Sequence, residues 1–575
     1  MTHLALPTPT RFLRRGPWAA AVRGDELADV TYDGRPVLRG LRAVVRNHNW
    51  LTLTPEADPA VVREDDDALE CRVDVAWAGF GGEYRGTVTV RMDDGGVDVA
   101  FEGTAPRDFL SNRIGLVALH RPDDAGRAVA VGHPDGTETH AAFPQEISPH
   151  QPFGDIAALG WERDGVQFSL GFTGDVFETE DQRNWTDASF KTYSTPLSVP
   201  FPVLHRAGSR VSQSVRLAAA VPVRVGTGSG VRVPEIVSWF GKQPVTAAPD
   251  LARGTVLLEV SAAPAPGDGT VSVGDALPVL AAASGADVRL VAGSARQAVA
   301  ILEQLPLDRV CRLGVFDPAT HVTAAETHSA VATRARELGF GGEIVSGARS
   351  HFTELNRNAH SLPGCSPSAP DAAGPDAAAP DPAGIAYSIT SQMHAVEPEA
   401  VMESIPLQAA TARQALVIGG GRPLHIGPIT IAPRFNAVAT EPPRADELPA
   451  RSPLESQPFG AAWLVGSVAA LTLPGVASLA YAVPEHPEAE QPEAPAAALL
   501  RRLAALRGAE VLDASSPAGG PAVCAIREAS GITCFLANLR PWAVTAEVSG
   551  PAALGPGPAR KVTVPAWSAA AVVLP

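Results

Sequence analysis

The segment FETEDQRNWTDASFKTYSTPL, residues 177–197, concentrates acidic, basic and hydrogen-bonding groups in a chain in which only 19% of residues are charged. Carboxylates beside cationic side chains can move protons or bind a polar ligand. The residues concerned are Glu178, Glu180, Asp181, Arg183, Asn184, Asp187 and Lys191, with Trp185 and Tyr193 among them. A solvated loop between two strands would have a similar composition, so the segment indicates a site only if it has partners elsewhere.

Three further polar clusters follow strand candidates in the second half of the chain. They contain Glu354, Asn356 and Arg357 (HFTELNRN), Gln392 and His394 (QMHAVEP), and Arg434 and Asn436 (APRFN). The active sites of α/β barrels form at the C-terminal ends of the strands. If these strands belong to one barrel, the three clusters project over the same barrel mouth.

These residue types favour a carboxylate general base, with Arg, Lys, Asn and His as donors to a developing oxyanion. The chain has no HxH or HExxH spacing for a hydrolytic metal and no GxSxG elbow for a nucleophilic serine. Barrel glycosidases use two carboxylates placed across the sugar. Because APRFN contains none, a glycosidase would need an unusual pair, such as Glu354 with Glu180 or Asp181.

The chain pattern predicts three domains, a mixture of α/β and all-β folds. Residues 1–228 contain short alternating runs separated by Asp-Gly and Gly-Gly turns, which predicts an N-terminal β-sandwich. In residues 229–490 apolar strands alternate with helical segments, which predicts a (β/α)8 TIM-like barrel. Residues 491–575 contain one helix and several short strands, which predicts a small C-terminal β-domain.

Eight segments are strand candidates for the barrel: EIVSWFG, GTVLLEVS, ADVRLVAG, VCRLGVFDP, GEIVSGARS, GIAYSITS, LHIGPITI and AAWLVGSVA. Between the fifth and sixth lies 363–384, which is rich in Pro and Ala and poor in large apolar side chains. Such a composition cannot form a core. We predict a disordered insertion there.

Charge and hydropathy restrict the partners and the compartment. The net charge of −16 argues against nucleic acid and anionic membranes, both of which reward clustered Lys and Arg. No stretch has the apolar length of a signal peptide core or a membrane span, and the five cysteines lack metal or disulfide spacing. We expect a soluble, cytoplasmic protein that acts on a small molecule; the oligomeric state stays open.

Five segments occur in an order that resembles a known family: FPQEISPHQPF (143–153), FETEDQRNWTDASFKTYSTPL, HFTELNR (351–357), YSITSQMHAVEP (387–398) and ITIAPRFNAVAT (429–440). They resemble the D-apionate lactonase family over about residues 30–480. The resemblance implies hydrolysis of D-apionolactone to D-apionate in apiose catabolism. It also implies an architecture similar to multidomain barrel glycoside hydrolases, and no cofactor.

In our interpretation, Glu354 activates water, His394 protonates the leaving ring oxygen, and Arg183, Lys191 and Arg434 stabilise the oxyanion or hold the substrate. Further catalytic candidates are Glu180 and Asp181, and further substrate-binding candidates are Asn184, Asp187, Asn356, Arg357, Gln392 and Asn436. This interpretation requires the segment 177–197 to reach over the barrel mouth. The alternatives are an interdomain ion-pair network, a glycoside hydrolase and a non-catalytic sugar-acid binding protein.

Overall fold

The fold is known from a computed structural model that describes residues 10–185, 187–241, 249–264, 269–365, 382–392, 396–434, 451–484, 493–551 and 558–575. The N-terminal part is built from strands. These are β1 (Thr10–Arg15), β2 (Trp18–Arg23), β3 (Glu26–Tyr32), β4 (Arg35–Asn47), β5 (Thr54–Ala57), β6 (Val61–Glu64), β7 (Leu69–Gly79), β8 (Gly82–Asp93), β9 (Gly96–Thr104), β10 (Phe109–His120), β11 (Ala128–Gly132), β12 (Glu138–Ala142), β13 (Phe153–Ile156), β14 (Ala158–Arg163), β15 (Val166–Thr173), β16 (Phe177–Asp181), β17 (Phe190–Tyr193), β18 (Val203–His205) and β19 (Arg210–Arg232).

Two antiparallel sheets in this part share one hydrophobic core. The first, which we call the nine-stranded sheet, has the order β1-β2-β3-β4-β10-β17-β16-β13, and β18 also pairs with β10. In the second, β12-β11-β14-β15 lead to β19, and β9, β8 and β7 continue from its other edge. Side chains along β7 (LECRVDVAWAG) alternate between buried and exposed, because successive side chains in a strand point to opposite faces.

The central part is a barrel of parallel strands with helices between them. Its elements are β20 (Glu235–Trp239), α1 (Pro249–Ala252), β21 (Thr255–Ser261), α2 (Val273–Ala282), β22 (Gly285–Val291), α3 (Ala295–Leu302), β23 (Val310–Phe316), α4 (Ala325–Glu337), β24 (Glu343–Gly347), α5 (Phe352–Arg357), β25 (Gly384–Thr390), α6 (Pro398–Glu403), α7 (Ile405–Ile418), β26 (Leu424–Thr430), α8 (Pro458–Leu471) and β27 (Val476–Ala482). Parallel pairing of β27 with β20 closes the barrel. The predicted eight-stranded barrel is therefore confirmed.

One strand assignment was wrong. AAWLVGSVA, predicted as the eighth strand, lies in the helix α8, and the eighth strand is β27 (VASLAYA). The side chains of α8 are apolar on every side because this helix is buried between the barrel and strands near the C-terminus. A helix buried all round has no amphipathic period, so its sequence cannot be distinguished from that of a buried strand.

The barrel strands have apolar outer faces and a polar interior. Val256, Leu258 and Val260 of β21 pack in the core that includes the surrounding helices, whereas Glu259 belongs to the alternate face and is fully buried. Near the N-terminal ends of the strands, the interior contains Arg312, which pairs with Glu235 (2.8 Å) and Asp287 (3.4 Å). Ion pairs therefore fill part of the barrel interior. They link the strands that carry the residues at the barrel mouth.

The C-terminal part continues one of the N-terminal sheets. Its elements are α9 (Pro495–Ala504), β28 (Glu510–Ser515), β29 (Ala522–Glu528), β30 (Gly531–Ala537), β31 (Val544–Ser549), β32 (Arg560–Val564) and β33 (Ala569–Leu574). The 23-residue strand β19 pairs with β9 and β15 in its first half and with β28 and β31 in its second half. The division into three domains with the predicted boundaries stays a prediction.

Among the described residues, short 3-10 helices are formed by Pro122–Asp124, Gln182–Trp185, Leu307–Arg309 and Pro453–Ser456. Of the predicted insertion 363–384, residues 366–381 lie outside the described residues. Its N-terminal end is held in place: Ser346 Oγ donates to Pro363 O (2.7 Å) and Arg422 Nη1 donates to Gly364 O (2.6 Å). Within the described ranges, no helix combines the length and the hydropathy that crossing a bilayer requires.

Candidate functional site

A carboxylate held by two arginines lies at the C-terminal ends of the barrel strands. Glu259 near the end of β21 accepts from Arg434 Nη1 (2.5 Å) and from Arg349 Nη2 (3.2 Å) at the same oxygen, Oε2. Burial acts to raise the pKa of Glu259, but the charges of Arg349 and Arg434 outweigh it and lower the pKa to about 2. We call these three residues the mouth cluster; its carboxylate is ionised throughout the ordinary pH range.

Two further hydrogen bonds fix the guanidinium group of Arg434. Arg434 Nη2 donates to Arg349 O (2.7 Å) and to Ser388 Oγ (3.2 Å), and Ser388 Oγ donates to Arg349 O (2.8 Å) and Gly427 O (2.9 Å). The strands β24, β25 and β26 thus meet at one point through side-chain contacts.

An aromatic ring lies beside the mouth cluster. The guanidinium carbon of Arg434 lies 5.4 Å from the ring centroid of Trp239, at the end of β20. Gly269 lets this ring lie close to the backbone, since a Cβ there would be 2.3 Å from Trp239 Cζ2. A cation over an indole face next to a fixed carboxylate is an arrangement suited to a polar ligand with apolar faces.

A histidine near the cluster stays neutral at physiological pH. Burial, followed by the positive charges of Arg349 and Arg434, lowers the pKa of His321 to about 4. Its backbone lies near Arg349, whose N–H donates to His321 O (2.9 Å). A neutral imidazole can accept or donate a hydrogen bond without adding charge to the site.

The three residues predicted in the loop after the fifth strand all lie on the helix α5, but only one of them is buried. Glu354 is buried, and its Oε2 accepts from Ser350 Oγ (3.0 Å), while Asn356 and Arg357 are exposed on the same helix. Ser388 N donates to Ser350 O (2.8 Å). Through these two serines Glu354 is connected to the mouth cluster, and Asn356 and Arg357 are not brought to it by any described contact.

Of the other predicted barrel residues, Arg434 belongs to the mouth cluster. Gln392 continues from β25, with its N–H donating to Ile431 O (2.9 Å) and its Nε2 to Val396 O (3.0 Å). His394 and Asn436 lie outside the described residues.

Three predicted residues of the segment 177–197 fasten it to the loop that precedes β13. Arg183 Nη2 donates to Asp181 Oδ2 and to Pro144 O, each at 2.8 Å, and Ser148 N donates to Asp181 Oδ2 (2.9 Å). Asn184 Nδ2 donates to Ser148 O (2.5 Å). Burial acts to raise the pKa of Asp181, but the bonds from Arg183 and Ser148 lower it below its ordinary value. These residues hold the segment in shape.

The remaining predicted residues of the segment, Glu180, Asp187 and Lys191, line a cleft on the nine-stranded sheet. Glu180 pairs with Lys191 and accepts from Trp185 Nε1 (2.9 Å). In the described part of the chain, the side-chain hydrogen bonds and ion pairs of residues 180, 181, 183, 184 and 191 all end between 144 and 193. The segment therefore forms neither a described contact with the barrel mouth nor an interdomain network.

Two family models match the chain. The model for the N-terminal domain of D-apionate lactonase matches residues 2–221, and the model for the TIM barrel domain of D-apionate lactonase matches residues 281–508. The chain belongs to the D-apionate lactonase family. The family recognised from the sequence segments is thereby confirmed.

Known proteins resemble the chain to different extents. A D-apionate lactonase of Brucella anthropi is 27% identical over 467 residues, 74% of this chain and 73% of that protein. A solved beta-arabinopyranosidase matches 98% of this chain and 96% of its own, at 10% identity and TM-score 0.29. A GH30 endoxylanase from Clostridium papyrosolvens C71 matches 61% and 98%, at 11% identity and TM-score 0.36. With TM-scores this low, the family assignment rests on the two models and the Brucella relative.

Sequence reasoning missed Glu259, Arg349, Ser388 and Trp239. Glu259 left a signal, because it is the one charged residue in the apolar strand candidate GTVLLEVS, and a charge in a barrel strand needs a partner inside the barrel. Arg349 also stands in a strand candidate, GEIVSGARS. Within the described ranges, no group of three or more His, Cys, Asp or Glu side chains could hold a metal ion.

Proposed function

We propose that the protein hydrolyses a small sugar-derived lactone to its sugar acid at the barrel mouth. The proposed substrate is D-apionolactone, with D-apionate as product, or a close analogue. Membership of the D-apionate lactonase family and the name of the Brucella relative support this reaction. The position of the mouth cluster at the strand ends supports the location, because barrel enzymes carry their active sites there.

The observation that carries the proposal is the clamping of Arg434 and Arg349 by Glu259. Hydrolysis of a lactone builds negative charge on the carbonyl oxygen, and fixed N–H donors in a dry site stabilise that charge. With a pKa of about 2, Glu259 is too weak a base to take a proton from water. Its proposed role is to position the two guanidinium groups.

Glu354 is the proposed general base. Ser350 Oγ holds one carboxylate oxygen of Glu354, and the other, Oε1, accepts no hydrogen bond from the residues that the structure describes. In the proposed step, Glu354 takes a proton from water as the water oxygen bonds to the lactone carbonyl carbon. The bond from that carbon to the ring oxygen then breaks, and the ring oxygen takes up a proton. The proposed donor of this second proton is His394, as predicted from the sequence.

The test is acid release from D-apionolactone and from other pentonolactones, measured by pH-stat. Arg434→Met removes the proposed oxyanion donor and should lower kcat/KM by about 10²- to 10³-fold. Arg434→Lys, which keeps the charge and so the partner of Glu259, should retain more activity. Arg296→Met, on the exposed face of α3, is the matched control.

Thermal melts accompany each rate, because losing one partner of a buried ion pair can also destabilise the fold. If no pentonolactone yields acid with the wild-type protein, the lactonase proposal fails. If Arg434→Met is folded and fully active while Lys191→Met is folded and inactive, the reaction takes place at the nine-stranded sheet instead of the barrel.

A further inference from the structure

The nine-stranded sheet carries an open cleft of about 740 Å³ on the face opposite the shared core. We call it the sheet cleft. The strands β4, β10, β16 and β17 form its floor, and residues of the turn around Trp50 and of the 3-10 helix around Trp185 stand at its edges. Its volume lies in the range of small-molecule sites, which is roughly 300–1,000 Å³.

Strand register places the polar residues of the segment 177–197 in this cleft. Glu178 and Glu180 of β16 lie opposite Tyr193 and Lys191 of β17, respectively. Because side chains two positions apart share a face, all four point to the same side of the sheet. Thr192, between the two cleft residues of β17, points the other way and contacts the buried imidazole of His120 (2.8 Å).

The sheet cleft contains arginines that form no ion pair within the described residues. They are Arg39, Arg46 and Arg113. Five cationic side chains line the cleft against three carboxylates, Glu26, Glu180 and Asp187, a local excess of positive charge in a chain with a net charge of −16. It favours an anionic ligand.

Two of these arginines face each other across adjacent strands. Arg113 of β10 is the register partner of Arg46 of β4. Like charges directly opposite in an antiparallel pair are destabilising. An anion bound to both side chains would offset this unfavourable pairing.

Arg113 is held rigidly in position. Its Nη1 donates to Asn112 O (2.6 Å) and its Nη2 to Pro196 O (2.7 Å). Its guanidinium carbon lies 5.3 Å from the ring centroid of Trp50 and 5.1 Å from that of Phe201. The hydrogen-bond and ring partners of Arg113 are neutral, and the carboxylates whose charges act on it, Glu178 and Asp175, form no described ion pair with it.

The other groups of the cleft suit a polyhydroxylated ligand. Trp185 is 71% exposed, and its Nε1 bond to Glu180 orients it at the edge of the cleft. Trp50 stands at another edge with a left-handed backbone (φ 64°), which a bulky residue rarely adopts. Tyr193, Gln151 and Glu180 supply hydroxyl, amide and carboxylate groups for ligand hydroxyls. Aromatic rings at the edges can cover the C–H faces of a sugar.

We propose that the sheet cleft is a binding site for a sugar acid, a polyhydroxylated molecule with one carboxylate. Arg46 and Arg113 bind the carboxylate, and Trp50, Trp185 and the polar groups of β16 and β17 bind the carbon chain or ring. The product of the proposed lactone hydrolysis belongs to this chemical class, but the argument rests on the cleft alone.

The experiment is titration calorimetry of the full chain with potassium D-gluconate and potassium D-galacturonate. The controls are D-glucitol, which has the hydroxyls without the carboxylate, and potassium acetate, which has the carboxylate without the hydroxyls. At least one sugar acid should bind at least tenfold more tightly than both controls, and added salt should weaken this binding because part of it is electrostatic.

Two variants locate the binding. Arg46→Gln should weaken sugar-acid binding at least tenfold, and so should Trp185→Ala, whose exposed side chain is not needed for folding. Arg72→Gln, on an exposed strand of the other sheet, is the matched control and should bind as the wild type does. Titration of Glu354→Gln, which should lack turnover, is expected to give wild-type affinity.

Several results would overturn the proposal. They are equal affinity for acetate and sugar acid, equal affinity for glucitol and sugar acid, no heat of binding at millimolar sugar acid, and unchanged binding by folded Arg46→Gln and Trp185→Ala. Failure of the proposed function has a different signature, since a protein that hydrolyses no lactone can still bind a sugar acid in the sheet cleft.

Discussion

Arg434 Nη1 lies 2.5 Å from Glu259 Oε2, although 175 positions separate the two residues in the chain. Closure of the barrel brings them together, since Glu259 lies on the inward face near the end of β21 and Arg434 follows β26. Glu259 also binds Arg349. One buried carboxylate therefore determines the positions of two cations that come from loops of different strands.

The mouth cluster makes stability depend on acid pH. The folded pKa of Glu259 is about 2, below the ordinary value for Glu of about 4.3. Its contribution is therefore complete above the ordinary value and is lost as the pH falls towards about 2, a difference of roughly 3 kcal/mol in the free energy of unfolding. Glu259→Gln should lose this contribution at neutral pH. Denaturant unfolding of both proteins at several pH values checks this, and parallel curves would contradict it.

Asp181→Asn and Arg183→Met should damage stability more than turnover. The Asp181 side chain is fully buried and Arg183 is mostly so, and cutting one partner from such a pair costs about 3–5 kcal/mol. The folded pKa of Asp181 is lowered, so the wild-type advantage over Asp181→Asn should decline at pH values below about 4. Thermal melts and kcat measurements on both variants test this prediction. Normal melting with lost kcat would place this pair in the active site.

Two buried histidines and one half-buried histidine should make unfolding take up protons. Burial lowers the pKa of His120 and His321 to about 4 and that of His425 to about 3. Unfolded histidine titrates near pH 6.5, so stability should fall as the pH is lowered from about 6.5 towards 4. Calorimetry in buffers of different ionisation enthalpy counts the protons. His120→Gln should reduce the uptake by about one proton; unchanged uptake in a folded His120→Gln protein would contradict this.

Replacement of 366–381 by a short Gly-Ser linker should leave the melting temperature nearly unchanged, because the Pro- and Ala-rich sequence predicts that these residues form no core. Deleting residues 363–365 as well, without replacing them, should lower it, since the backbone carbonyls that accept from Ser346 and Arg422 are then removed. If the protein in which only 366–381 is replaced fails to fold, the prediction that these residues form no core is wrong.

The barrel was predictable because its strands are apolar runs at regular spacing, and seven of the eight candidates coincide with strands. The helix α8 was misread because it is apolar on all sides. The pairing of β19 with both N-terminal and C-terminal strands could not be predicted, since alternation identifies a strand but not its neighbours.

For the site, the sequence identified chemical groups but not the surfaces that they share. Arg434 and Glu354 were identified because they lie in polar segments that follow strand candidates, while Glu259 was overlooked inside a strand. The segment 177–197 was recognised as polar, but only the register of β16 against β17 shows that Glu180 and Lys191 face the sheet cleft and not the barrel.

The most direct test of lactone hydrolysis at the barrel mouth is kcat for D-apionolactone in Glu354→Gln. The variant keeps the side-chain size and can still accept from Ser350, but it cannot take a proton from water. Relative to wild type and to Glu326→Gln, an exposed control on α4, kcat should fall by about 10²- to 10⁴-fold, the usual contribution of a general base, with unchanged melting. A folded Glu354→Gln protein with wild-type kcat would contradict the account.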